Sequence, residues 1–561
     1  MKKQFSFVAA LSAILLLGFA ARLPFLSLPL FGDNALWALL VQHTDKLGMN
    51  VLAIPHPPLA PWAYNTGTLV FQDLALSVRA IPLIFSVLIA FASALFARRV
   101  YGERTGLFTA FLVLFSSYGL VSSLITDSDP TLLSLFLVGL FWSAFEYANS
   151  GNSKWLVPSA VFSALLLFTK LQSVLLLVPA CAYVFFNSRK RDALAFSAAL
   201  FSGAALSLIA FPLLVFLVEP WAWPAVSSIV YGHNSFAVLS QLSNPVAAAS
   251  SKLSFLFPLA MNFGSLLLGL VLLSFFSIRR QDQPFLWWLF GTGLLYFLVL
   301  PGWIGADMVR FYSVLVPPAA ILSARFLTEN EKSFSKVLVV SSAAVFAALF
   351  AGINAAFPFP EQNWYNVSLT CIGSRISFPA IGVAVLLAVI PLAMCLSRVM
   401  KRRPLHPFAF QFFLSVSLGF GIFFAAAPLL QPDYSLAVAA MNSHIASSPP
   451  AGTLFVWNSA AAYYAGYDHS FYDWDSPEAR SYASLAGFLE SREYLDASVT
   501  PPGQLDARLA RGGTVVLLEY PVKYVMQNPA RETALTLILK RCRQEFGYDP
   551  SGDAKVAIFR C

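Results

Sequence analysis

For its first 429 residues the chain alternates long apolar runs with short polar interruptions, and then its pattern changes. Crossing about 30 Å of hydrocarbon takes roughly 17–25 apolar residues as a helix. Runs of this kind lie near 5–24, 78–97, 105–125, 130–148, 155–169, 171–187, 193–217, 252–277, 284–300, 311–327, 337–356, 376–397 and 407–429. They predict about thirteen transmembrane helices. The stretch 155–187 is too long for one crossing, and Lys170 is its one charged residue. Lys154 before it and Arg189-Lys190-Arg191 after it both suit the cytoplasmic side, so an even number of crossings separates them. The chain is expected to reverse at Lys170, on the outer side.

Beyond residue 429 the apolar periodicity shortens. Residues 452–457, 514–519 and 555–560 read as strands, and 477–493 and 529–545 as helices. The expected fold is an all-α polytopic membrane domain over 1–429, followed by a small soluble α/β domain over 430–561. Two outer segments interrupt the membrane domain. One is a long first loop at 25–77, and the other runs from 218 to 251 and carries Glu219-Pro220-Trp221-Ala222-Trp223-Pro224.

Composition excludes the competing classes. Apolar residues make up 58% of the chain and charged residues 11%, against about 45–50% and about 25% in soluble proteins. A soluble globule of 561 residues could not cover its surface with so little charge. The continuous apolar runs also lack the strict alternation of an outer-membrane barrel. The formal net charge of +8 is not a nucleic-acid signature. Residues 1–429 hold 25 Lys and Arg against 14 Asp and Glu, whereas the tail holds 11 against 14. The basic excess sits in loops between spans, where membrane lipids are the expected partner and nucleic acid is not. With the N-terminus in the cytoplasm, 18 basic residues of the membrane domain fall inside and 7 outside, the asymmetry that orients membrane proteins. The odd number of spans then puts the tail outside the cytoplasm, in a plasma or cell inner membrane. The first run also fits a signal peptide, but its apolar core is long, so a retained helix is expected. The cysteines form no CxxC pair. Cys542 and Cys561 could pair in an oxidising compartment.

Charged groups beside a membrane are costly, so their positions carry information. Asp33, Asp127, Asp129, Lys170, Glu219, Asp307 and Arg310 gather at predicted outer span ends. Asp33 precedes Ala35-Leu36-Trp37 and fits a helix N-cap, as do Asp127 and Asp129 ahead of Pro130. The same carboxylates could take a proton from a hydroxyl nucleophile. Asp127 and Asp129 could also hold a divalent metal, although two carboxylates make an incomplete site. No other cofactor is expected. Lys170 and Arg310 suit a lipid phosphate at headgroup level, or ordinary snorkelling. His56, in His56-Pro57-Pro58-Leu59, has a stiff backbone that suits either a positioning role or a plain loop.

The order of the motifs adds a resemblance. Arg22-Leu23-Pro24 and Gly32-Asp33-Asn34 follow the first span, and His56-Pro57-Pro58-Leu59 with Trp62 stands in the first loop. Thr126-Asp127-Ser128-Asp129-Pro130-Thr131-Leu132 opens the fourth span. Arg310-Phe311-Tyr312 with Pro317-Pro318 opens a late one. Together, over roughly residues 5–429, these resemble the GT-C superfamily of polyprenyl-phosphate-sugar-dependent glycosyltransferases. The branch they look most like holds the protein O-mannosyltransferases and the aminoarabinose lipid A transferases. The resemblance implies a catalytic cavity at the outer leaflet and a sugar donor on polyprenyl phosphate. The acceptor would be a lipid, glycan or protein, and transfer would invert the anomeric carbon with Asp33 as general base. It also implies substrate contacts for Asn34, His56, Asp127, Asp129, Lys170, Arg310 and Tyr312. The family commonly has an acid directly after this Asp; here Asn34 stands there, able to hydrogen-bond a sugar or orient Asp33. Two other readings stay open: a lipid or polysaccharide transporter, and a non-catalytic glycolipid-binding protein.

Overall fold

In a computed structural model of the chain, the described residues are 2–27, 30, 34–35, 37–38, 41, 57, 59–218, 256–299, 308–356, 378–400, 406–426, 435–448, 454–456, 506–507, 509–510, 512–519, 536–548 and 555–561. Asp33, His56, Glu219, Asp307 and Cys371 lie outside them. So do the second outer segment and the helix expected at 477–493.

The protein is an all-α polytopic membrane protein with a small C-terminal sheet. Every one of the predicted crossings coincides with a helix or a broken helix. In chain order the principal helices are α1 Lys2–Ala20, α2 Leu59–Phe71, α3 Leu74–Tyr101, α4 Glu103–Phe115, α5 Ser117–Ser122, α6 Ser134–Ser150, α7 Leu156–Thr169, α8 Val174–Asn187, α9 Lys190–Val218, α10 Leu256–Ser274, α11 Gly293–Val299, α12 Val316–Glu329, α13 Lys336–Ala356, α14 Phe378–Met400 and α15 Pro407–Ala426. Six helical stretches among the described residues are long and apolar enough to cross a membrane unbroken. Several others are interrupted. The predicted span 105–125 breaks at Ser116 into α4 and α5. The span 284–300 contains a π segment at Trp287–Thr292, and α12 is entered through a 3-10 turn at Tyr312–Leu315.

Two local features depart from the simple pattern. Helix α2 lies inside what reads as the first outer loop. The run of prolines before it looks loop-like, yet Pro61 falls in the first helical turn, where a missing N–H costs nothing. The chain then turns at Gln72 (φ 56°), and the Asp73 carboxylate caps α3 by accepting from Leu76 N at 2.7 Å. Helix α10 is kinked at Gly264, whose φ is 68°; a Cβ there would stand 2.4 Å from Ser117 Oγ. Only glycine fits, and the kink lets Ser117 Oγ donate to Asn262 O at 2.9 Å.

The loops fall at two ends of the bundle, as an alternating topology requires. At one end Arg99 pairs with Glu146, Arg104 with Glu331, Arg279 with Glu329 and Arg325 with Asp282, while Tyr147 Oη donates to Asp192 O. At the other end meet Arg22, Asn34, Arg79, residues 123–129, Lys170 and Arg310. Lys170 itself is the extended residue between α7 and the turn leading to α8, so the chain breaks where the charge pattern places the reversal.

In the tail the sheet order is β1-β2-β4-β3, with β1 Leu454–Val456, β2 Thr514–Glu519, β3 Arg543–Tyr548 and β4 Lys555–Arg560. Strand β1 is parallel to β2, and the other pairings are antiparallel. The three predicted strands are present. The helix expected over 529–545 is not as drawn: the described helix ends at Arg541, and 543–548 is the edge strand β3. Arg543-Gln544-Glu545 has helix-like composition, but pairing with β4 overrides it, with an irregularity between Gln544 and Phe546. Cys542 and Cys561 form a disulfide. Arg541 donates two hydrogen bonds to Asp506, which holds that carboxyl below its usual range.

Candidate functional site

Broken helices build the site. Where α4 stops, Ser116 is extended and its side chain caps α5, accepting from Gly119 N at 3.2 Å. Gly119 lies so close to the end of α4 that a Cβ would stand 1.9 Å from Val113 O. The break leaves carbonyls without helical partners. Arg22, fully buried, supplies them: its guanidinium donates to Leu114 O at 2.6 Å, Gly119 O at 3.3 Å, Gly18 O at 2.8 Å and Ser123 Oγ at 2.8 Å. Beyond α5 the chain runs irregularly to a π turn at Asp129–Leu133. Three more side chains fasten this stretch. Arg79 donates to Leu124 O at 3.1 Å, Asn34 Oδ1 accepts from Thr126 N at 2.8 Å, and Tyr64 Oη donates to Asp127 O at 3.0 Å. A non-helical segment buried in a membrane protein is tolerated only with such partners. Its purpose is legible in what it carries, Asp127 and Asp129.

Both carboxylates face cations. Lys170 Nζ lies 2.5 Å from Asp129 Oδ2, and both side chains are almost wholly buried (4% and 0% exposed). Arg310 Nε lies 3.1 Å from Asp127 Oδ2, while Asp127 Oδ1 accepts from Ser128 N at 2.6 Å. Phe311 stands between the two cations: Lys170 Nζ is 4.1 Å and the Arg310 guanidinium carbon 5.2 Å from its ring centroid, within cation–π range. The two pairs are therefore parts of one cluster, assembled from the start of α6, the α7–α8 break and the approach to α12. Asp129 caps neither the π turn nor α6: the cap residues there are Ser128 and Leu133, both without a side-chain bond.

Among the described residues, Asp129 Oδ1, Asn34 Nδ2, Ser173 Oγ and Trp62 Nε1 are buried without a hydrogen-bond partner. Burying an unpaired polar atom costs about 1–3 kcal/mol, so each of these atoms calls for a partner. Next to the cluster, a cavity of about 660 Å³ lies between α10, α11 and the entry to α12. Tyr312 stands at it, and Phe263, Phe275, Phe290, Phe297 and Leu315 supply apolar wall. The Tyr312 ring also meets Tyr296 edge to face at 5.9 Å.

Of the residues singled out in the sequence, Asn34, Asp127, Asp129, Lys170, Arg310 and Tyr312 converge at this end. Asp33 and His56 are outside the described residues; Asp33 directly precedes Asn34 in the chain. As for metal, Asp127 and Asp129 are each engaged by a cation, and no group of three or more His, Cys, Asp or Glu converges among the described residues. Sequence reasoning gave no role to Arg22, Arg79, Tyr64 or Phe311. Arg22 and Phe311 stand in motifs that carry the resemblance, without a role of their own; Arg79 was detectable as a cation at a span end, and Tyr64 gave no signal.

A model of the family described as dolichyl-phosphate-mannose-protein mannosyltransferase matches residues 55–216, the stretch that holds Asp127, Asp129 and Lys170. The fold is similar to that of ArnT from Cupriavidus metallidurans bound to undecaprenyl phosphate. The TM-score is 0.59 at 15% identity, covering 99% of this chain and 98% of that one. The apo state of the same protein is similar with a TM-score of 0.50 at 13% identity, with the same coverage. No curated protein matches the chain by sequence. The family match bears out the resemblance over residues 55–216, and the solved structures share the fold over nearly the whole chain.

Proposed function

We propose that the protein transfers a sugar from a polyprenyl-phosphate donor to a lipid, glycan or protein acceptor at the outer face of the membrane. The observation that carries this reading is the pair of buried cation–carboxylate contacts around Phe311, beside an apolar cavity. A polyprenyl phosphate needs both halves, cations for the phosphate and a hydrocarbon-lined slot for the chain. Lys170 has three donors and Arg310 five, so each can hold its carboxylate and still turn donors toward a phosphate. Asp127 and Asp129 keep the two cations in place when no anion is bound. Asp33 is the general base that takes the acceptor proton as the acceptor attacks the anomeric carbon, and Asn34 and Asp129 contact sugar or acceptor hydroxyls. Tyr312 borders the chain of the donor, and His56 contributes a substrate contact. The C-terminal domain is extracytoplasmic, which its disulfide favours, and the N-terminus is cytoplasmic.

A transporter would place its charges near mid-membrane on discontinuous helices; here they lie at the ends of the bundle. The test is transfer of radiolabelled sugar from a synthetic polyprenyl-phosphate sugar to membrane extracts. Product that needs the protein supports the reading. Donor binding without turnover would replace it with the glycolipid-binding alternative. Changing either Lys170 or Arg310 to Met should weaken donor binding about 10- to 150-fold, and the double change should cost less than the sum.

A further inference from the structure

The end of the bundle opposite the site holds a second cavity, of about 610 Å³, with a different construction. Its walls are apolar, formed by Phe7 and Ile14 of α1, Leu107 and Phe111 of α4, and Val340 of α13. Its mouth is charged. Glu331 lies between two cations, with Arg104 NH1 at 2.9 Å from Oε2 and Lys336 Nζ at 2.5 Å from Oε1. The neighbouring Glu103 is already paired with Arg98 at 2.9 Å. One carboxylate shared by two cations leaves a positive charge uncompensated. The side chains of Arg104 and Lys336 are 76% and 57% exposed, so both can reach a group outside the protein.

Depth identifies what enters. Along α4 the lining runs from Glu103 to Leu112, about 14 Å at helical rise. That is half of the roughly 30 Å hydrocarbon thickness. The slot is one leaflet deep, apolar inside and cationic at the headgroup level. We propose that it binds an anionic glycerophospholipid of the leaflet opposite the candidate site. The phosphodiester would sit on Arg104 and Lys336, and an acyl chain would lie between α1 and α13. This lipid is a resident ligand and not the sugar donor: the slot holds none of the site residues.

The test is native mass spectrometry of the full chain from nanodiscs with equal phosphatidylglycerol and phosphatidylcholine, alongside melting in each lipid alone. Wild type should retain phosphatidylglycerol in preference, by about fivefold for each cation engaged, and melt at a higher temperature in it. Arg104→Gln with Lys336→Gln should abolish both differences, and so should Val340→Trp, which fills the slot without removing charge. A variant that simply fails to fold would melt early in both lipids, and the single changes Arg104→Gln and Lys336→Gln then take its place. Equal retention of the two lipids by wild type overturns the proposal. So does a preference that survives the charge changes, or one that survives Val340→Trp, because the latter would be adsorption to a basic surface and not binding in the slot.

Discussion

Both ends of the helical bundle hold buried charges, Arg22, Arg79, Asp127, Asp129 and Lys170 at the site end and Glu146, Asp282 and Arg325 at the other, but treat them differently. Away from the site, the Asp282 carboxylate is closed into a network, while Arg325 Nε has no partner among the described residues. Arg325 (2% exposed) is held by Asp282 at 3.2 Å, by Ser277 O at 2.5 Å and by Ser274 O at 3.0 Å, and Tyr101 Oη donates to Asp282 Oδ1 at 2.5 Å. Asp282 also accepts from Arg279 N at 2.7 Å. Every carboxylate oxygen of Asp282 is engaged. At the candidate site, Lys170 and Asp129 are just as buried, but Asp129 Oδ1 and Asn34 Nδ2 have no partner among the described residues, and the backbone around Asp129 and Lys170 is π, extended or irregular. A structural ion network is closed because open valences cost stability. A binding site leaves valences open because the ligand closes them. Under the proposed function, this contrast in carboxylate pairing, more than the presence of charge, distinguishes the two ends.

The comparison can be broken first at the base. Asp33→Asn should lower transfer about 10²- to 10⁴-fold with melting unchanged, measured with a synthetic donor; a variant that keeps half the wild-type rate would remove Asp33 from the chemistry. Next come the two buried cations. Asp129→Asn strands Lys170 and should cost about 3–5 kcal/mol in detergent unfolding, together with transfer. Adding Lys170→Met should recover most of the stability but none of the transfer. At the other end, Arg325→Met should lower stability by a similar amount, about 3–5 kcal/mol, and leave the transfer rate per folded molecule unchanged. A loss of transfer there would erase the distinction between the ends. The smallest effect is expected at the half-exposed Arg99–Glu146 pair, where Arg99→Gln should cost about 1 kcal/mol or less.

Much of the membrane domain was legible because hydrocarbon imposes one strong rule, an apolar run about 20 residues long. Even the reversal at Lys170 followed from the parity of charges alone. What the runs did not reveal were the breaks. Ser116 and Gly264 sit inside apolar stretches and the π turn at Asp129–Leu133 opens one, and hydrogen-bond partners near the breaks come from far along the chain, as Arg22 does for Leu114 and Ser117 for Asn262. The site was half legible for the same reason. Charges at span ends pointed to Asp127, Asp129, Lys170 and Arg310, but their pairing into two contacts around Phe311 depends on tertiary packing. In the tail, Arg543–Tyr548 became a strand only because β4 lies beside it; its own residues favour a helix.

The most direct measurement is a cryo-EM structure of the full chain in nanodiscs with polyprenyl phosphate. The account predicts the phosphate beside Phe311, with oxygens within about 3.2 Å of Lys170 Nζ and of the Arg310 guanidinium. The first isoprene units should lie against Phe263, Phe297 and Leu315. A phosphate bound instead at Arg104 and Lys336, or a carrier lipid bound with Lys170 and Arg310 contacting only their carboxylates, would contradict it.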